Sequence, residues 1–193
     1  MNSCRIKAFT ILELIIAMVL VGVIVLGING ISTFSHNHVI SSDRRAKLQN
    51  DVSLCLDHIT KQGLRTIGNE TPSFNVNTAV IANSGNSLAF FIDADGNGRR
   101  ELGVSDHWVQ YTLSSNLLSY FSNCGTGASP ACSGSGEVLS DKITAFVITK
   151  NFALGNHVEV QITGRWNPTA ASSMINPEVT MSAIIQLPSV STN

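Results

Sequence analysis

An α+β fold, in which a long N-terminal helix covers an antiparallel sheet, is predicted by three features of this chain. Residues Phe9 to Ile28, FTILELIIAMVLVGVIVLGI, form a twenty-residue apolar run broken by a single acid, Glu13. Leu48, Val52, Cys55, Leu56, Ile59, Gly63 and Ile67 then recur at steps of three and four, the spacing of one helix face. From Phe74 onward, short segments rich in β-formers alternate with turn signals such as NSGNS, DADGNG and LSSN, the pattern of strands joined by tight connections.

The apolar run comes first. At a rise of about 1.5 Å per residue it covers a hydrocarbon core of roughly 30 Å, so it is long enough to span a bilayer. A carboxylate near the centre of such a span costs about 2.5 to 3.5 kcal/mol, which makes a buried partner for Glu13 the natural expectation. Arg5 and Lys7 precede the run, whereas Asp43, Arg44, Arg45 and Lys47 lie well beyond it. The basic leader therefore places the N-terminus in the cytoplasm and the rest of the chain outside it. An ordinary secretory signal has the same parts, with Val25 and Gly27 as small recognition residues. A cut between Ala8 and Phe9 would instead leave the apolar helix in the mature chain.

The second element continues the first. Asp43, Arg44, Lys47, Asp51, Asp57 and Lys61 fall largely off the apolar stripe, so the predicted helix runs from Phe9 to about Ile67, its outer half lying on a sheet. Gly68 and Asn69 supply the stop. Gly22, Gly27 and Gly30 weaken its middle, each by about 1 kcal/mol relative to Ala in water. Predicted strands are Asn77 to Ala82, Ser87 to Ile92, His107 to Leu113, Leu117 to Phe121, Ile143 to Thr149, Val158 to Thr163 and Val179 to Leu187.

The stretch KAFTILELIIAMVLVGVIVL resembles the N-terminal signature of type IV pilins and the related type II secretion pseudopilins. That signature is a short basic leader, a small residue, an aromatic residue, a hydroxyl residue and Glu at the fifth mature position. Ala8, Phe9, Thr10 and Glu13 stand at those places; most members carry Gly where this chain has Ala8. The resemblance implies the pilin fold, removal of residues 1–8 by a prepilin peptidase, and N-methylation of Phe9. It also gives Glu13 a partner, because cleavage leaves one ammonium group on Phe9 and one carboxylate on Glu13 per subunit, and each can neutralise the other across subunits. Loosening of the glycine-containing stretch in a filament is a further implication. The domain plan is then a leader at 1–8, a membrane and assembly half-helix at 9–35, an amphipathic half-helix at 36–68, and a β-rich extracytoplasmic domain at 69–193.

A narrower resemblance extends outward. LCLDHITKQGLRTIGN, SLAFFIDADGNGRRELGVSDHWVQYTL and NLLSYF are similar to PilW-type minor pilins, in which a hairpin follows the helix. The implied role is a structural subunit that primes or caps a pilus, its partners being other subunits, the prepilin peptidase, the inner-membrane assembly machinery and the membrane. A type II secretion pseudopilin and a tethered binding domain that never polymerises are the competing readings.

Three smaller features remain. Asp93, Asp95, Asn97 and Gly98 copy the first, third, fifth and sixth places of an EF-hand loop. Val104 then stands where a bidentate Glu belongs and Glu101 falls at the ninth place. Two readings stand here: a polar hairpin turn and a weak calcium site; no cofactor is otherwise required. Cys4 leaves with the leader, and a Cys124–Cys132 disulfide closing a Gly/Ser/Pro-rich loop is expected in an oxidising compartment. Cys55, on the apolar stripe, is expected to be a small buried hydrophobe, with pairing to a loop cysteine as the alternative.

Catalysis has little support. His36, His38, His58, His107 and His157 make no zinc motif and are read as solvated, and no phosphate loop, dinucleotide fingerprint or nucleophile elbow is present. A net charge of −1 with 13% charged residues argues against a nucleic-acid surface. Trp108, Tyr111, Tyr120 and Trp166 are expected in the core or in cross-strand pairs.

Overall fold

The computed structural model describes residues 10–67, 80–83, 86–98, 103, 105–150 and 157–188. Two compact units are present, residues 1–42 and 43–193. The helix α1 (Ile11–Gly63) contributes to both.

In the first unit α1 carries its large apolar side chains outward, from Ile11 at 81% exposed to Val39 at 65%. It is long and apolar enough to cross a membrane. The helix is continuous through Gly22, Gly27 and Gly30. Asn29, a polar residue on this surface, donates its side-chain amide to the Val25 carbonyl at 2.9 Å, and the Thr33 hydroxyl donates to Asn29 O at 2.9 Å. Such back-bonding satisfies polar groups inside the helix itself, which suits an apolar solvent.

In the second unit α1 buries Leu48, Val52, Cys55, Leu56, Ile59 and Gly63, the predicted stripe without its last member. The helix stops at Gly63 rather than near Ile67. Gly is a poor helix former, and the next amides tighten, Arg65 N donating to Gln62 O and Thr66 N to Gly63 O. The chain then runs along a strand, where Ile67 N donates to Phe91 O and Asp93 N to Arg65 O. The predicted stop at Gly68 and Asn69 lies outside the described residues.

Eight strands follow: β1 (Val80–Asn83), β2 (Ser87–Ile92), β3 (His107–Ser114), β4 (Leu117–Phe121), β5 (Glu137–Ser140), β6 (Ile143–Lys150), β7 (His157–Arg165) and β8 (Glu178–Gln186). They form two antiparallel sheets, ordered β1-β2-β3-β4-β5 and β6-β7-β8. β5 has no counterpart in the sequence reading. The start predicted for the first strand, 77–79, lies outside the described residues. β3 and β4 meet in a two-residue turn, Ser115–Asn116, with φ of 50° and 68°. Both central residues of this hairpin turn require positive φ, and Asn tolerates that region better than most residues.

The main core joins the α1 stripe to Leu88, Phe90, Val109, Tyr111, Leu118 and Tyr120 from one sheet and to Phe146, Val158, Val160, Ile162 and Ile185 from the other. β2 reads as a nearly continuous apolar run because both its faces are covered. Its other face, with Ala89 and Phe91, belongs to a second cluster that includes Ile67, Trp108 and Cys124. Two glycines permit close approach. A Cβ on Gly63 would stand 2.6 Å from Ile185 Cγ2, and one on Gly164 would stand 2.9 Å from Val52 Cγ2.

Candidate functional site

The first turn of α1 organises Glu13. Thr10 Oγ1 accepts from Glu13 N at 3.3 Å, and Thr10 O accepts from Glu13 N and Leu14 N. Thr10 is therefore the N-cap with Glu13 three residues on, the spacing of a capping box. A carboxylate in the first turn also meets the positive end of the helix dipole. The signature reading placed Thr10 only as a hydroxyl at a motif position. The Thr-x-x-Glu spacing was the signal for its capping role. Ala8, Phe9 and Cys4 lie outside the described residues.

The loop after β2 is held by its own acids. Asp93 accepts from Gly96 N at 2.7 Å and Gly98 N at 2.8 Å, and Asp95 accepts from Asn97 N at 3.1 Å and from the Asn97 side-chain amide at 2.8 Å. Gly96 and Gly98 both have positive φ. These contacts are those of a polar turn. Oxygens of Asp93, Asp95 and Asp106 also lie within 4.8 Å of one another, a hard-oxygen set of the kind calcium takes. Asp106, fully buried, accepts from Ala94 N at 3.1 Å. Sequence spacing missed Asp106 and chose Asn97. The signal lay in strand pairing, since Ile92 opposite His107 places Asp93 across from Asp106. Glu101 and Val104 lie outside the described residues.

Cys124 and Cys132 form the expected disulfide, and Cys55 is free and buried. The bonded segment packs on Trp108: Trp108 N donates to Gly125 O at 2.8 Å, its indole N–H to Gly127 O at 2.9 Å, and Cys124 N to Trp108 O at 2.7 Å.

Of the histidines read as solvated, His58, His107 and His157 are only partly exposed, and among these three His58 meets aromatic rings. It is half-buried, bonded through Nδ1 to the Tyr111 hydroxyl at 2.9 Å, and its ring meets those of Tyr111 and Tyr120 edge-on. A groove of about 250 Å³ beside it is lined by Leu54, Cys55, Asp57, His58, Lys61 and Leu139. Burial, and then the Asp51 carboxylate, push the Cys55 thiol up to about 11, outside the reactive thiolate range. Burial likewise raises Tyr111 and Tyr120.

The N-terminal segment is the part that known proteins share. Residues 4–29 match the prokaryotic N-terminal methylation motif. The motif supports a subunit of the type IV pilin and pseudopilin kind, a kind that is structural rather than catalytic. It implies prepilin-peptidase processing and assembly with pilus machinery, and together with the exposed apolar helix it fits anchoring in a membrane before assembly. No curated protein and no solved structure matches the chain.

Proposed function

We propose that this chain is a minor pilin, a structural subunit that waits in the inner membrane through α1 and enters a type IV pilus once its leader is removed. The supporting observation is the methylation motif lying on a helix whose apolar side chains are uncovered and whose first turn holds Glu13. Cleavage between Ala8 and Phe9 and methylation of Phe9 leave a cation at the mature N-terminus. Packed helices bring that cation against the Glu13 carboxylate of a neighbour. Removing one member of such a desolvated pair costs about 3 to 5 kcal/mol, so Glu13 sets the axial step between subunits. The filament needs no cofactor and no nucleic acid for this role.

N-terminal mass spectrometry of membrane-extracted protein should find methylated Phe9; a start at Ile28 would select a conventional signal peptide instead. Glu13→Ala should sharply lower the amount of subunit recovered in sheared filaments while the outer domain stays folded. Equal recovery would remove the charge-pairing argument. Immunogold label on pili separates this reading from a type II secretion pseudopilin, whose loss would impair secretion and leave pili unlabelled.

A further inference from the structure

We propose that the free edge of β8 is a docking slot for one extended segment of a partner protein, which adds a strand to the β6-β7-β8 sheet and sets a carboxylate against Arg45. The inference goes beyond the filament reading and stands without it. β8 closes one end of its sheet and pairs with β7. That ladder runs from His157 opposite Gln186 to Arg165 opposite Glu178 with no register shift, whereas the β4–β5 and β6–β7 ladders each carry one. Along the other edge of β8, no backbone group of residues 178–186 bonds to any described residue.

Exposed edges are ordinarily blunted by brevity, by a bulge, by proline or by charge, lysine above all. β8 is nine residues long, EVTMSAIIQ, and contains no Pro, Lys or Arg. Its one acid, Glu178, is held by Arg165 of β7, whose Nε donates to it at 2.8 Å. Ile184, 69% exposed, stands opposite Glu159 of β7 and has no described cross-strand neighbour on its other side.

A groove flanks this edge. At the start of β8 an open space of about 550 Å³ separates Glu178, Val179, Thr180 and Met181 from Arg45, Gln49, Asn50 and Ser53 on the flank of α1. At the far end Gly63 of α1 comes against Ile185. From Arg45 to Gly63 the helix advances about 27 Å, and from Glu178 to Ile185 the strand advances about 23 Å. Helix flank and strand edge therefore run side by side.

The chemistry of the slot names its occupant. Open amides and carbonyls repeating along an edge are matched by the backbone of another extended chain. Gln49, Asn50 and Ser53 make the facing wall polar, which suits side chains that hydrogen-bond. Arg45 is exposed and makes no ion pair among the described residues, so a segment that brings an acid to that end is favoured. A second copy's β8 does not supply one, because its only acid is already engaged. The complementary segment therefore belongs to another protein.

The test follows hydrogen exchange of residues 178–186 in the full chain in detergent. The probe is a nine-residue peptide of alternating threonine and valine with aspartate at both ends. At a concentration about ten times its Kd, it should slow exchange of the open-edge amides by about tenfold. The same peptide N-methylated throughout should not. Lysine in place of both aspartates should weaken binding roughly fivefold, the scale of an exposed ion pair, and Arg45→Glu should reverse that order. Consecutive strand amides point to opposite edges, so one of Ser182→Pro and Ala183→Pro sets its ring at the open edge, where proline is tolerated. The variant that keeps its near-ultraviolet circular dichroism should no longer bind the peptide. The slot is overturned by exchange that the peptide leaves unchanged, by equal protection from the N-methylated peptide, or by full binding to the folded proline variant. Equal binding of the aspartate and lysine peptides overturns the part given to Arg45. Open-edge amides that are already slow in the dilute chain, or that slow as the chain alone is concentrated, make its own residues or a second copy the occupant and overturn the slot as well.

Discussion

Gly164 offers the sharpest quantitative check on how α1 meets the sheet. In Gly164→Ala the new methyl would stand 2.9 Å from Val52 Cγ2, 3.1 Å from Leu48 Cδ1 and 3.5 Å from Lys142 O. Leu48 and Val52 are fully buried, so neither can swing away into solvent. Overpacking of this kind costs about 1 to 3 kcal/mol, and replacing a mid-strand Gly returns roughly 0.5 to 1 kcal/mol of backbone entropy. The net expectation at mid-range is a loss of about 1.25 kcal/mol, a fall in Tm of roughly 2.5 to 5 °C for a domain of this size. Gly127→Ala is the internal control, since its nearest neighbour would be Ser129 O at 3.9 Å, an ordinary contact. Thermal unfolding of the full chain in detergent, followed by tryptophan fluorescence, reads both. The cost should shrink when Val52→Ala is added, because the two changes share one space. A Gly164→Ala chain as stable as the parent, or a cost indifferent to Val52→Ala, would refute the claim that this glycine lets the helix close on β7.

The remaining expectations address the loops and the titrating core. Replacing Cys124 and Cys132 by Ser opens a loop of sequence separation 8, and loop-closure entropy puts the loss near ~2.5 kcal/mol, measurable as a lower urea midpoint under oxidising conditions. Calorimetry with calcium should give saturable heat that Asp93→Ala and Asp106→Ala each abolish; a flat titration leaves Asp93, Asp95 and Asn97 as a turn alone. Cys55, Tyr111 and Tyr120 are raised in the folded state, so the unfolded chain ionises first as pH climbs. Stability should be level with respect to these groups below about pH 9 and decline toward pH 11, and an unchanged urea midpoint across that range would contradict their burial. Asn176→Ala takes a donor from the carbonyls of Asn167, Ala170 and Ala171 and the acceptor from Asn167 N, the first two carbonyls keeping Ala170 N and Arg165, a loss of about 1 to 3 kcal/mol, seen as faster proteolysis at the 166–177 loop.

Much of the architecture was legible because burial leaves a period. The stripe from Leu48 to Gly63 and the alternation in β7, where Val158, Val160 and Ile162 point inward, follow from packing one side of an element. Ile67 continued the helical spacing by coincidence and belongs to the second cluster beyond the helix. β5 was invisible, being four residues after a Gly/Ser stretch and joined to β4 through a register shift. The division into two sheets was hidden as well, since no side-chain pattern marks where strand pairing stops. Among site residues, Glu13 stood out because an acid in an apolar run is conspicuous. Asn176 did not, since its partners are backbone atoms that carry no sequence signature. The cation–π stack of Arg44 and Lys142 on Trp166 joins residues far apart in the chain, which composition and spacing do not reveal.

The bonded segment over Trp108 carries a consequence for the life of the molecule. Phe91 and Trp108 are roofed by a strip of chain whose clasp closes only where thiols are oxidised. In a reducing compartment that clasp would stay open, and the strip over Trp108 would be held by its hydrogen bonds alone. Oxidation latches it, so this part of the domain stiffens only where disulfides persist.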